Sequence, residues 1–162
     1  MAKYNHSRRI LNTQPTTIKS LLPGMIIRFN YSGANIFDST PLVLLFYNEY
    51  RHISKSYNIH GLNINYITEY RLTKLFTLLS KTTSIRQVDK DEDNTNLLSE
   101  DYTRIYLPPL SKMETKSRSE ALVEMKRMYK NKVKPLLRNI SCYRTYDIRN
   151  ISSLKAIKYK IG

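Results

Sequence analysis

A chain of 162 residues with 41% apolar side chains has room for one core but hardly for two, and is too apolar to be disordered by composition. One cysteine, Cys142, excludes an internal disulfide and a zinc site built on paired cysteines, and no run of about 18 apolar residues is present to span a membrane as a helix. The net charge of +14 is uneven: residues 1–34 hold five bases and no acid, residues 81–110 hold six acids and four bases, and residues 111–162 hold fourteen bases and four acids.

In chain order, residues 1–20 have no apolar periodicity and read as a basic arm carrying Lys3, Arg8, Arg9 and Lys19. The start has positive charge but no apolar core, so it is not a secretory signal, although a transit peptide is compatible with it. Residues 21–162 read as a single domain. A turn at Pro23-Gly24 leads into a strand over 25–31, with Met25, Ile27, Phe29 and Tyr31 on one face. "SGANIFDSTP" is a loop. "LVLLFY", residues 42–47, is apolar without alternation, which predicts a central strand buried on both faces. Residues 48–58 read as a polar connector.

"HGLNINYITEYRL", residues 60–72, alternates with period two: Leu62, Ile64 and Tyr66 on one face, Asn63 and Asn65 on the other. Gly61 marks a bulge or turn, and Thr68 suits a helix N-cap. Leu72, Leu75, Phe76 and Leu79 then predict a helix over 68–80. Residues 82–101 are polar and acidic and read as a surface insertion or mobile loop. "YTRIYLPP" is a short strand ended by prolines. A second helix is predicted over 118–134, with Ser117 and Glu120 as its capping box. Leu122, Met125, Met128 or Tyr129, Val133 and Leu136 form its apolar stripe, and Pro135 ends or bends it. "NISCYRTYDI" and "LKAIKYKI" close the chain as strands, the last an edge strand guarded by its lysines.

These elements predict an α+β fold: a small curved antiparallel sheet or partly open barrel packed with two helices, with extended basic terminal arms that reach onto neighbours.

Few residues point to chemistry. His6, His52 and His60 have no metal-ligand spacing, and the acidic run "DKDEDN" lacks the glycine and closing glutamate of a calcium loop. Cys142 reads as a packed core residue. There is no phosphate-binding loop, dinucleotide fingerprint or nucleophile elbow. Asp38 and Glu49 could share a metal with a lysine, as in a nuclease, but the E-x-K spacing is missing after Glu49. The expectation is therefore no enzyme, no cofactor and no metal site. Charge points elsewhere, because a basic surface of this size implies a polyanionic neighbour. The basic last third interleaves cations with tyrosines, which suits phosphate neutralisation and base stacking. The residues expected to bind a polyanion or partner are Arg8, Arg9, Lys126, Arg127, Lys130, Lys132, Lys134, Arg138, Arg144, Lys158 and Lys160.

The order "PGMIIRFNYSG", "DSTPLVLLFY", "HGLNINYITEYRL" and "CYRTYDIRNI" resembles small proteins of large tailed bacteriophages. In these an aromatic-rich strand precedes a D-x-x-P-L-V strand and a G-[LI]-N-x-[NH]-Y strand that runs into a helix. The likeness covers about residues 22–76 and, more weakly, 128–151. It carries over no catalytic or binding residue. It implies a virion-associated or DNA-handling role: a structural component at the head–tail junction, tail or baseplate, docked on other virion proteins or on packaged double-stranded DNA. A sequence-nonspecific DNA-binding protein, for example one on duplex ends, is the alternative, and a metal-dependent nuclease the third.

Overall fold

The computed structural model describes residues 3–33, 38–53, 55–82, 85–87, 102–105, 123, 126–127, 129–137 and 142–161. Its centre is a six-stranded antiparallel sheet built from β1 (Ile10–Pro15), β2 (Ile26–Tyr31), β3 (Leu42–Arg51), β4 (Ser56–Asn63), β7 (Tyr143–Asp147) and β8 (Ile151–Tyr159). The strand order is β1-β8-β2-β3-β4-β7. A separate ribbon pairs β5 (Ile85–Gln87) with β6 (Thr103–Ile105).

The link between β7 and β8 sets the curvature. A 3-10 turn, Ile148–Asn150, joins them, yet they lie four places apart in the sheet. Strands that far apart in a flat sheet would be about 19 Å from each other. The four peptide units from Asp147 to Ile151 reach at most about 14 Å. The sheet must curl towards its own far side, and it does so without closing. The α+β expectation of a curved sheet with two helices holds.

Both faces of the sheet are buried. On one, Ile26, Leu42, Leu44, Phe46, Leu62 and Ile157 pack against Leu72, Leu75, Phe76 and Leu79 of α1 (Glu69–Thr82) and against Val133 and Leu137. On the other, Met25, Ile27, Phe29, Val43, Leu45 and Ile59 pack around Leu21, Tyr102 and Tyr146. The alternation foreseen for residues 25–31 is thus present, and "LVLLFY" is the doubly buried strand that its sequence suggests.

Several expectations change. Residues 48–58 are no connector: β3 runs on to Arg51 and β4 begins at Ser56, and Tyr50 and Tyr57 pair across the hairpin with ring centroids 5.0 Å apart. The N-terminal segment is not an arm free to reach a neighbour. Ile10–Pro15 pairs with β8, the Tyr4 N–H donates to the Asn65 carbonyl at 2.7 Å, and His6 is buried. That pairing makes β8 an interior strand rather than the lysine-guarded edge. Ile85–Gln87, in the stretch read as an insertion, forms a strand. The second helix is described from 123 onward only in part, and its predicted start and most of its apolar stripe lie outside the described residues. Of the two roles expected of Pro135, to end or to bend the helix, the first does not occur, since helix continues through it to Leu137. A wide π turn, Tyr129–Val133, runs into the short helix α2 (Lys134–Leu137). The wide turn fits the proline, whose ring and missing N–H disrupt the normal bonding of the preceding turn.

Candidate functional site

Two polar clusters grow from the strand β4, and Gly61 lies between them in sequence. A Cβ on Gly61 would sit 2.4 Å from the Leu44 carbonyl oxygen and 2.6 Å from Val43 Cγ1, so only glycine lets β3 come this close. Opposite it the register slips, with Leu45 facing Gly61 and Tyr47 facing His60. The extra residue is Phe46. It follows Leu42 and Leu44 on the helix-side face, and Tyr47 joins it there in the same cluster. Beyond the bulge the alternation is inverted, and Glu49 and Arg51 fall on that same face. The bulge is in β3, across from the glycine that predicted one.

The first cluster centres on Asp38. Its Oδ1 accepts from Lys3 Nζ at 2.6 Å and from the Thr40 N–H at 3.0 Å. Its Oδ2 accepts from Asn63 Nδ2 at 2.9 Å and Asn65 Nδ2 at 3.0 Å. Burial opposes ionisation here, but the bonds from Asn63, Lys3, Asn65 and Thr40 outweigh it and hold the carboxyl below its ordinary range. Asp38 of the D-x-x-P segment and the asparagines of "GLNINY" therefore meet in one network. The alternation of those asparagines serves the fold by tying the 38–41 loop to the end of β4 and to the 3-10 turn Ile64–Tyr66.

The second cluster centres on His60 and opens to solvent. His60 Nε2 lies 2.8 Å from Glu49 Oε2 across the hairpin, and Nδ1 lies 3.0 Å from Thr145 Oγ1 on β7. Tyr47 stacks on the imidazole, with centroids 4.3 Å apart and planes 14° from parallel. These groups line a cavity of about 380 Å³ with Phe46, Arg51, Lys126, Tyr129 and Tyr143. Tyr129 and Tyr143 approach to 4.6 Å between ring centroids, and Tyr143 packs on Phe46 at 5.8 Å. Burial pushes the His60 pKa down; Glu49 pulls it back, and Lys126 and Arg51 lower it further. The net result is an imidazole that is neutral at neutral pH. Burial, together with a hydrogen bond to Tyr47, raises the Tyr143 phenol.

The expected basic residues do not gather in one place. Lys126, Arg127, Lys130, Lys132 and Lys134 are exposed along the second helical segment, and Lys126 reaches the cavity. Arg8, Arg9, Lys158 and Lys160 sit at the β1–β8 margin. There Arg9 Nη1 donates to the Lys160 carbonyl at 3.0 Å and Nε lies 3.9 Å from Glu69. Arg144 is half-buried on β7, and its alternation with Tyr143 and Thr145 turns it away from the cavity. Arg138 lies outside the described residues. Of the interleaved tyrosines, Tyr129 and Tyr143 line the cavity, whereas Tyr146 and Tyr159 are core residues. Asp38 and Glu49 serve different clusters, so the arrangement imagined for a metal nuclease is not formed. Among the described residues no group of three or more His, Cys, Asp or Glu side chains could hold a metal, and no helix is long and apolar enough to cross a membrane. Cys142 is buried, and burial pushes its thiol up to about 11, as suits a packed core cysteine.

The sequence gives no sign of Arg51 or Thr145 as site residues, and it offers Glu49 and His60 only as separate metal candidates, not as partners of each other. A hairpin reading of residues 42–63 would have placed Glu49 near His60, but only with the bulge on the correct face. No protein-family model, curated protein or solved structure matches the chain.

Proposed function

We propose that the protein binds single-stranded nucleic acid, seating a base in the cavity against Tyr129 and Tyr143 while Arg51 and Lys126 meet the flanking phosphates. One observation carries this reading: aromatic faces and two cations line the same cavity of about 380 Å³. A stacked base contributes about 1–3 kcal/mol whatever its identity, and each neutralised phosphate adds a salt-dependent increment. The net charge of +14 supplies long-range attraction, and the exposed cations at 126–134 extend the track beyond the cavity. The test is fluorescence anisotropy with labelled single-stranded and duplex oligonucleotides over a salt series. Preference for the single strand is expected, with a salt slope that shrinks in Arg51→Ala and Lys126→Ala. Equal affinity for duplex, untouched by either substitution, would reject the cavity as the binding site.

A second reading follows the phage resemblance: a non-enzymatic component of the particle. It is favoured by the tip of the β3–β4 hairpin, where Tyr50, Ile53 and Tyr57 are exposed, Ile53 at 96%. Such a tip suits docking into a neighbouring subunit. Mass spectrometry of purified particles decides the matter. A fixed copy number supports the reading, and absence from washed particles rejects it.

A further inference from the structure

The cavity holds a relay that binding alone does not require. We propose that Thr145, His60 and Glu49 act as nucleophile, base and orienting carboxylate to break a phosphodiester of the strand held there. The proposal rests on the nucleic-acid reading and goes beyond it.

The geometry fixes the proton positions. An ionised carboxylate only accepts hydrogen bonds, so with Glu49 Oε2 at 2.8 Å the His60 Nε2 carries the proton. Nδ1 of the neutral ring then has its lone pair free, and the Thr145 hydroxyl at 3.0 Å donates to it. This is the nucleophile–base–orienter order of an activated hydroxyl. The order of exposure agrees. Thr145 is exposed, and His60 behind it is buried. Tyr47 stacked on the ring holds its plane, so Nδ1 stays directed at the hydroxyl. Arg51 and Lys126 line the same cavity, where positive charge would stabilise the non-bridging oxygens of a phosphate under attack. Thr145 and His60 face each other as register partners on β7 and β4, so the relay is built on the sheet rather than on loops.

The chemistry balances without an added reductant or oxidant. Thr145 Oγ1 attacks phosphorus and its proton passes to His60 Nδ1. A Thr145 O–P bond forms, the P–O5′ bond breaks, and the proton moves from His60 to the departing O5′. The upstream fragment is then joined to Thr145 through its 3′ phosphate, and the downstream fragment leaves with a 5′ hydroxyl. In the second step water gives a proton to His60, its oxygen attacks phosphorus, the Thr145 O–P bond breaks, and the proton returns to Thr145.

Among the described residues, the polar and titratable groups that share the cavity with His60 are Tyr47, Glu49 and Arg51 on β3, Tyr143 and Thr145 on β7, and Lys126 and Tyr129 from the helical segment. Since their combined effect with burial holds the imidazole below its ordinary value, cleavage should fall as pH drops below 6.5.

The experiment incubates the full chain with a labelled single-stranded DNA oligonucleotide in EDTA and follows cleavage on a denaturing gel. Mass spectrometry of the denatured protein follows the adduct, and anisotropy measures binding in parallel. Wild type is expected to cleave and to show a fragment-sized adduct on the peptide containing Thr145. Thr145→Val should lower cleavage about a thousand-fold or more with binding retained, while Thr145→Ser keeps both adduct and cleavage. Glu49→Gln should lower the rate about a hundred-fold or more and move its pH midpoint further down, because Glu49 is what holds the His60 pKa up. Binding without cleavage or adduct, or cleavage undiminished in Thr145→Val, overturns this inference and leaves the binding reading standing. Failure to bind at all overturns both.

Discussion

The chain builds two polar networks on one strand, and they differ in where they end. The Asp38 network is closed. Each oxygen of a carboxylate that is 2% exposed takes two donors, and the donors come from the N-terminal segment, the adjoining loop, the end of β4 and the 3-10 turn that follows it. The His60 network is open. It begins at a Glu49 side chain that is 35% exposed, passes through a buried imidazole and ends on Thr145, an exposed residue of the cavity that two cations also line. A closed network spends its hydrogen-bonding capacity on holding chain segments together. An open one keeps a polar terminus for something that arrives from solution. Burial and a strand position are common to both, so neither separates a structural polar group from a chemical one. What separates them is the state of the exposed end: Lys3, at 43% exposure, is already paired with Asp38, whereas Thr145 opens onto a cavity that has room for a ligand.

The sharpest break is Gly61→Ala, which strikes the backbone that supports both networks. The added methyl meets the Leu44 carbonyl oxygen, and main chain cannot yield as a flexible side chain does. A loss of about 3 kcal/mol or more is expected in urea unfolding, together with weakened oligonucleotide binding, because Glu49 and Arg51 face the cavity only through the bulge. Asp38→Ala should separate the networks. Removing the shared acceptor strands the amides of Asn63 and Asn65 and should cost about 2–3 kcal/mol, with affinity for the oligonucleotide unchanged. Thr145→Val should do the reverse, costing about 1 kcal/mol for the hydrogen bond withdrawn from His60 while breaking the relay. Equal damage to stability and binding in Asp38→Ala would mean that the two networks are one.

What the sequence revealed follows from the range of each signal. Period two over 25–31, the continuous run at 42–47 and the helical spacing of Leu72, Leu75, Phe76 and Leu79 are local patterns, and each is present in the fold. Which strand lies at an edge is not local. Lys158 and Lys160 look like edge guards until Ile10–Pro15 is seen to cover them, and that segment carries no alternation of its own. The candidate site is less legible still. His60 and Thr145 are 85 positions apart in sequence. Glu49 reaches His60 only because one bulged residue inverts the facing of β3, and inversion by a single residue is invisible to a periodicity argument. The basic residues were legible as charge but not as a site: of the ten expected that lie among the described residues, Lys126 is the one that lines the cavity.

The cations give a smaller effect. Arg51→Ala and Lys126→Ala should each weaken single-strand binding by about 1 kcal/mol and lower the salt slope by about one ion, with unfolding unchanged. Loss of affinity from Arg8→Ala instead would move the interface to the β1–β8 margin.

The mildest test uses acid to take the two networks apart in sequence. His60 is held below its ordinary value of 6.5, so the unfolded chain binds the proton more readily than the folded one. Its contribution to stability is complete above pH 6.5 and declines as pH falls from there towards the folded value. Asp38 is also depressed, from an ordinary 3.8, and as an acid it keeps its contribution above that pH and loses it only below. The open network should therefore fail first on acidification and the closed one last. His6 is depressed by burial in the same direction as His60, so the separation is read from differences between variants rather than from wild type alone. Urea unfolding across pH should give a wild-type minus His60→Gln difference that decreases below pH 6.5, and a wild-type minus Asp38→Asn difference that is flat until pH 3.8 and decreases beneath it. If the first difference stays level through pH 5, His60 is not held neutral by its surroundings, and the proton placement that makes Thr145 a donor to it is wrong.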